Sequence, residues 1–261
     1  MTATQATAAT SPGLPPGDHE LSLTWQGKER TFNLHVPPGA AKHGKKLPLV
    51  VVMHWYPGTA EGIAAYTGFS KRADEHRFLV AYPQGLNGGY NALICCGAED
   101  DVGFISAMTR QLVKDWNADS RRVYATGFSN GADMSFRLAV ERSRLFAAIA
   151  PVSGGYGGPL AEDPDFMPSR PVPVLTILGA NDPQVDALLA GLDTWRKRLH
   201  CITVDKDVRP GQYTLTKSWC ADGSRVHAYV VEGMAHEWPD HTTHPLNATD
   251  VVWDFLKMHR R

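Results

Sequence analysis

The sequence predicts an α/β fold: a mostly parallel central sheet with helices on both faces and an antiparallel hairpin at its N-terminal edge. Three observations predict it. Continuous apolar runs at 47–53, 78–82, 147–152 and 172–178 alternate with stretches whose apolar residues recur at helical spacing. Runs apolar on both faces are the pattern of parallel strands that need helices above and below. Gly127-Phe128-Ser129-Asn130-Gly131 lies between a strand-like and a helix-like segment, and Asp182 and His236 follow two later strand-like runs. In parallel sheets, reactive groups collect beyond the carboxyl ends of the strands.

In chain order, residues 1–18 are rich in Ala, Thr and Pro and lack a basic segment followed by an apolar one. They read as a disordered leader, not as an intact signal peptide. Residues 19–261 read as one catalytic-size domain, without repeats or an internal linker. Residues 20–25 and 30–36 alternate apolar and polar side chains across Gly27-Lys28, which predicts the edge hairpin. The buried strand 47–53 empties into His54-Trp55-Tyr56-Pro57-Gly58-Thr59, and a helix follows to about residue 75.

After the strand 78–82 comes a Gly-rich loop with the adjacent Cys95 and Cys96. Val102, Ile105, Met108, Leu112 and Trp116 then mark one helical face, with Asp100 or Asp101 placed to cap it. Residues 123–126 form the strand before Ser129, and Met134, Leu138 and Val140 mark the helix after it. A helix over 186–199 leads to an irregular segment between Cys201 and Cys220. A last strand over 225–231 ends at Glu232-Gly233-Met234-Ala235-His236, and a final helix spans 249–259.

Composition excludes several classes of partner. The chain has 261 residues, 26 basic against 27 acidic, a net charge of −1 and 43% hydrophobic residues. No basic face for nucleic acid or an anionic membrane is implied, and no apolar run reaches the ~20 residues of a membrane span. The four cysteines lack paired C-x-x-C spacing, so disulfides and an oxidising compartment are favoured over zinc or a reactive thiol. A bridge between Cys201 and Cys220 would clamp the segment between them. Whether Cys95 and Cys96 join each other is left open.

The chemistry rests on three residues. A serine hydroxyl needs a base as it attacks, and an imidazole needs its tautomer fixed and its developing charge balanced. Ser129, Asp182 and His236 can fill these roles as nucleophile, acid and base, and their chain order is that of α/β-hydrolases. Asp186 and Asp193 are alternatives to Asp182, and His227, His241 and His244 to His236. His236, His241 and His244 lack an H-E-x-x-H frame, so no metal is expected. The backbone N–H of Asn130 and that of Tyr56, with Trp55 as second choice, are the expected oxyanion donors. Trp55, Tyr90 and Trp238 are expected to contact substrate, with packing as the alternative for the two tryptophans. No cofactor is required, and oligomeric state is not readable.

RVYATGFSNGADMSFRLA, the stretch from Asn91 to Cys96 with Asp100-Asp101-Val102-Gly103-Phe104-Ile105, FAAIAPVSG, and Gly233-Met234-Ala235-His236-Glu237-Trp238-Pro239 together resemble the polyhydroxybutyrate-depolymerase-like and feruloyl-esterase-like secreted esterases (carbohydrate esterase family 1 type) of the α/β-hydrolase superfamily. The resemblance covers nearly everything from Glu20 onward. It implies the α/β-hydrolase fold, the triad Ser129, Asp182 and His236, a Cys201–Cys220 bridge, and export to a secreted or periplasmic location. The expected activity is that of a serine carboxylesterase on feruloyl or acetyl esters of plant polysaccharide. The alternatives are a depolymerase of short hydroxyalkanoates and a non-catalytic polymer-binding homologue. The chain departs from the family at Trp55, where glycine is usual, and at Met234-Ala235 before His236.

Overall fold

Each buried run becomes a strand, and the helices between them cover the sheet. The computed structural model describes residues 15–40 and 46–261. The expected leader therefore lies outside the described residues as far as residue 14. Gly17 and Asp18, assigned to it from the sequence, belong instead to β1. β1 (Gly17–Trp25) and β2 (Lys28–Val36) pair antiparallel with Trp25 opposite Lys28, so the turn is Gln26-Gly27. Both turn residues have positive φ, 50° and 77°, the twist that suits a two-residue hairpin.

β3 (Leu47–Met53) is buried at every residue, as its composition requires. Leu49, Val51 and Met53 face one core, while Val50 and Val52 face the other. The helix expected after it is two helices, α1 (Ala60–Thr67) and α2 (Phe69–His76), separated by Gly68 at φ 63°. β4 (Leu79–Pro83) follows, then a 3-10 turn at Leu86–Gly88. α3 (Asp101–Asp115) is capped by Asp100, whose side chain accepts the Gly103 N–H; Asp101 is buried instead.

β5 (Ala118–Phe128), α4 (Asn130–Glu141), β6 (Ala148–Val152), the short α5 (Pro159–Glu162), β7 (Val174–Gly179) and α6 (Val185–Arg198) continue the alternation. The segment read as irregular is a hairpin, β8 (Ile202–Arg209) and β9 (Tyr213–Trp219), closed at its open end by the Cys201–Cys220 disulfide. β10 (Arg225–Val231) and α7 (Ala248–Leu256) complete the chain.

Among the described residues, one ten-stranded sheet has the order β1-β2-β4-β3-β5-β6-β7-β10-β9-β8. β4, β3, β5, β6, β7 and β10 are parallel, and an antiparallel hairpin closes each edge. One core lies under α3, α4 and α6 around Phe104, Phe136 and Trp195. The other lies under α1, α2 and α7 around Ile63, Phe69 and Trp253. Fully burying each large apolar side chain contributes roughly 1.5–3 kcal/mol, which is why these two layers hold the loops at the strand ends in place. No described helix is long and apolar enough to cross a membrane.

Candidate active site

Ser129 stands on the turn between β5 and α4 with φ 55° and ψ −118°, a left-handed conformation that L-residues seldom adopt. The two flanking glycines make the turn possible. A Cβ on Gly131 would lie 2.2 Å from the Met53 carbonyl oxygen, and one on Gly127 would lie 2.7 Å from it. The turn is fastened on both sides: the Ser129 N–H donates to the Val152 carbonyl at 3.1 Å, and the Ser129 carbonyl accepts the Asp133 N–H at 3.0 Å. Asn130 opens α4, so its N–H is among the first four of the helix, which have no intrahelical acceptor.

The structure brings Ser129, His236 and Asp182 together. Ser129 Oγ lies 2.9 Å from His236 Nε2, and His236 Nδ1 lies 2.7 Å from Asp182 Oδ2. Asp182 is 2% exposed, and its other carboxylate oxygen accepts the Gln184 N–H. With the Nδ1 proton held by Asp182, Nε2 of a neutral His236 offers its lone pair to the Ser129 hydroxyl. The acid and base loops are tied to each other, since the Ala180 N–H donates to the Val231 carbonyl and the Asn181 N–H to the Met234 carbonyl. Glu237 steadies the histidine loop: its carboxylate accepts the Ala235 N–H and meets His244 Nε2 at 3.0 Å, while its carbonyl accepts the Ser153 hydroxyl.

The loop after β3 is ordered by a neutral histidine. His54 Nε2 accepts the Gly85 N–H at 3.0 Å, so its proton is on Nδ1 and is donated to the Trp55 carbonyl at 2.7 Å. Burial lowers the His54 pKa and keeps it in this form. Trp55 is partly buried, edge-on to Tyr66 and Phe128, and the Phe128 ring lies 5.1 Å from that of His236. Tyr56 is half exposed.

Two expected substrate contacts are corrected. Tyr90 has no exposed surface; its hydroxyl donates to the Pro83 carbonyl at 2.6 Å and its ring lies 4.6 Å from His54. Trp238 is 5% exposed, donates its indole N–H to Thr249 Oγ1 and packs edge-on to Phe69. Both rings are core. Their place beside catalytic loops in sequence does not specify their depth. Sequence reasoning also passed over Tyr66 and Phe128, the rings nearest Trp55 and His236, although Phe128 stands in the Ser129 motif itself. It passed over Asp133 too, buried one helical turn beyond Ser129 and accepting the Gly155 N–H at 2.8 Å. Helical spacing from Ser129 was the signal available for it.

A cleft of about 610 Å³ opens between α6 and the loop after β6, with Ile94, Gly155, Tyr156, Gln184 and Leu188 in its walls. None of the three reactive residues lines it. It begins at Gly155, next to Gly154, whose Cβ, were one present, would lie 2.6 Å from the Ser129 carbonyl oxygen.

The chain is similar to known esterases. The putative esterase NocK of Nocardia uniformis subsp. tsuyamanensis is 30% identical across 88% of this chain and 80% of its own length. The probable feruloyl esterase C of Aspergillus niger (strain ATCC MYA-4892 / CBS 513.88 / FGSC A1513) is 30% identical across 66% of this chain and 60% of its own length. The acetyl xylan esterase from Aspergillus awamori superposes with a TM-score of 0.73 over 92% of this chain and 99% of its own, at 18% identity, a likeness of α/β-hydrolase fold. The family described as "Esterase PHB depolymerase" matches residues 30–161, from Arg30 on β2 through Ser129 to Ala161 in α5, and the chain belongs to this family of carboxylic ester hydrolases.

Proposed function

We propose that residues 19–261 act as one catalytic domain, a serine carboxylesterase working through an acyl-enzyme on feruloyl or acetyl esters of plant polysaccharide in an extracellular or periplasmic setting. The observation that carries this reading is the pair of short contacts that link Ser129 Oγ, His236 and Asp182 in series. Ser129 attacks the ester carbonyl as its proton passes to His236 Nε2. The Asp182 carboxylate balances the imidazolium. The oxyanion is held by the N–H groups of Asn130 and Tyr56. Collapse of the intermediate expels the alcohol with the proton from His236, and water repeats the sequence to release the acid.

The substrate class is supported by the names of two relatives, a feruloyl esterase and an acetyl xylan esterase. The two disulfides favour an oxidising compartment.

Ser129→Ala is expected to lose p-nitrophenyl acetate hydrolysis by at least about 10³-fold while remaining folded. Near-normal activity in that variant would overturn the reading. A second reading, depolymerisation of short 3-hydroxyalkanoates, is favoured by the description of the matched family. Turnover of methyl ferulate and acetylated xylan against a 3-hydroxybutyrate oligomer separates the two: faster hydrolysis of the oligomer would move the assignment to this second class.

A further inference from the structure

The loop over residues 88–97 touches both proposed oxyanion residues. On one side it meets the loop after β3: the Gly58 N–H donates to the Gly88 carbonyl at 3.0 Å. The Tyr56 ring lies over Gly89, its Cδ2 2.6 Å from where a Cβ on that glycine would stand. The Cys96 carbonyl oxygen is 3.0 Å from the same point. On the other side the loop grips the Asn130 side chain. Asn130 Oδ1 accepts the Tyr90 N–H at 2.8 Å, and Nδ2 donates to the carbonyls of Tyr90 and Cys95 at 3.1 and 2.8 Å.

The loop is closed at its tip by the adjacent Cys95–Cys96 disulfide. The Cys95 carbonyl, which receives Asn130, also accepts the Ala92 N–H at 3.1 Å. The base is fixed more firmly, through the Asn91 N–H to Asp101, which is itself paired with Arg30 in the interior. Cys95 is exposed and Cys96 partly so, which leaves the bridge open to a reductant.

From this placement we infer that the Cys95–Cys96 bridge is a thiol-addressable latch that positions the oxyanion hole. Closed, it fixes the Cys95 carbonyl on Asn130 and the Cys96 carbonyl beside Gly89, over which the Tyr56 ring lies, so both N–H donors keep their aim. Reduction opens it: the two electrons and two thiol protons of a dithiol pass to the cysteines, the S–S bond breaks, and the dithiol leaves as its cyclic disulfide. The tip then gains backbone freedom where it touches Asn130. Donors preorganised for the oxyanion act on the transition state and not on the ground state, so the effect falls on kcat. The inference rests on the oxyanion roles proposed above for Asn130 and Tyr56.

The test uses the full chain carrying Cys201→Ser and Cys220→Ser, so that Cys95–Cys96 is the remaining bridge, with p-nitrophenyl acetate as substrate. Dithiothreitol is expected to lower kcat at least tenfold with KM changed less than twofold, and reoxidation to restore it. The inhibition constant of an aryl trifluoromethyl ketone, whose adduct places an oxyanion in the same hole, should rise by the same factor. Cys95→Ser/Cys96→Ser is expected to show the low kcat without reductant and no further response. A kcat within twofold of the oxidised value once both thiols titrate as free would overturn the latch, as would a fall in kcat with no change in the ketone constant. Should the four-serine chain not fold, the reductant arm decides alone. Ser129→Ala separates the two readings: its inactivity with no thiol effect removes only the latch, whereas its activity removes the esterase mechanism itself.

Discussion

Asp133 shows how a single buried group sets a pH dependence that activity data alone would misassign. It is 6% exposed, and burial raises its pKa from 3.8 to about 7, opposed only in part by the Gly155 N–H. In the unfolded chain the carboxyl ionises near 3.8, whereas in the folded chain it keeps its proton until about 7. Between those values the unfolded state binds fewer protons, so stability falls as pH rises, by on the order of 4 kcal/mol in full. Asp133→Asn keeps an acceptor for Gly155 and removes the charge. It is expected to be more stable than the parent at pH 8 and equal to it near pH 4, as read from urea midpoints; an equal gap at both pH values would contradict the assignment. Tyr90 makes the complementary point. Its aromatic ring suggested a substrate contact, yet its hydroxyl and ring support Pro83 and His54 from within the core.

At the scale of elements, the β8–β9 hairpin is the clearest departure from expectation. Its first strand, ITVDKDVR, is intermediate or exposed at every position, so the inside–outside alternation that marks a half-buried strand is missing. Pairing with β9, and of β9 with β10, supplies the backbone partners that its composition does not advertise. Its charges and the irregular register between Thr203 and Asp205 also protect a sheet edge from further pairing. The Cys201–Cys220 bridge spans 19 residues and closes this hairpin. Replacing both cysteines by serine is expected to cost about 3 kcal/mol in chemical denaturation, from the loop entropy restored to the unfolded chain. Activity should stay within twofold, because the hairpin lies beyond β10 and contributes none of the reactive residues.

Across the whole molecule, the Arg30–Asp101 pair joins the N-terminal hairpin to α3 and the loop beside the site. The two side chains are 2% and 1% exposed and 2.5 Å apart; Arg30 also stacks on Phe104, and Asp101 receives the Asn91 N–H. Arg30→Met would leave a buried carboxylate unpaired and is expected to cost about 3–5 kcal/mol in urea unfolding. Arg30→Met with Asp101→Leu should recover part of that loss, and failure of any recovery would show that the two act separately.

The sequence by itself determined the parallel strands, the turn that carries Ser129 and the order in which Ser129, Asp182 and His236 follow strand ends. These are local: continuous apolar runs demand two-sided burial, and a crowded turn demands glycine at 127 and 131. Depth and partnership were decided only by the tertiary structure. Asp182 and Asp186, or Tyr56 and Tyr90, are chemically alike in a list of residues. Which of the two aspartates meets His236, and which of the two tyrosines is buried, depends on sheet order, on which loops meet at its carboxyl edge, and on contacts between residues far apart in the chain, as between Ser129 and His236 or Arg30 and Asp101. The adjacent cysteines illustrate both halves. Their neighbourhood in sequence is plain, but only the fold places the Cys95 carbonyl against Asn130 and the Cys96 carbonyl beside Gly89.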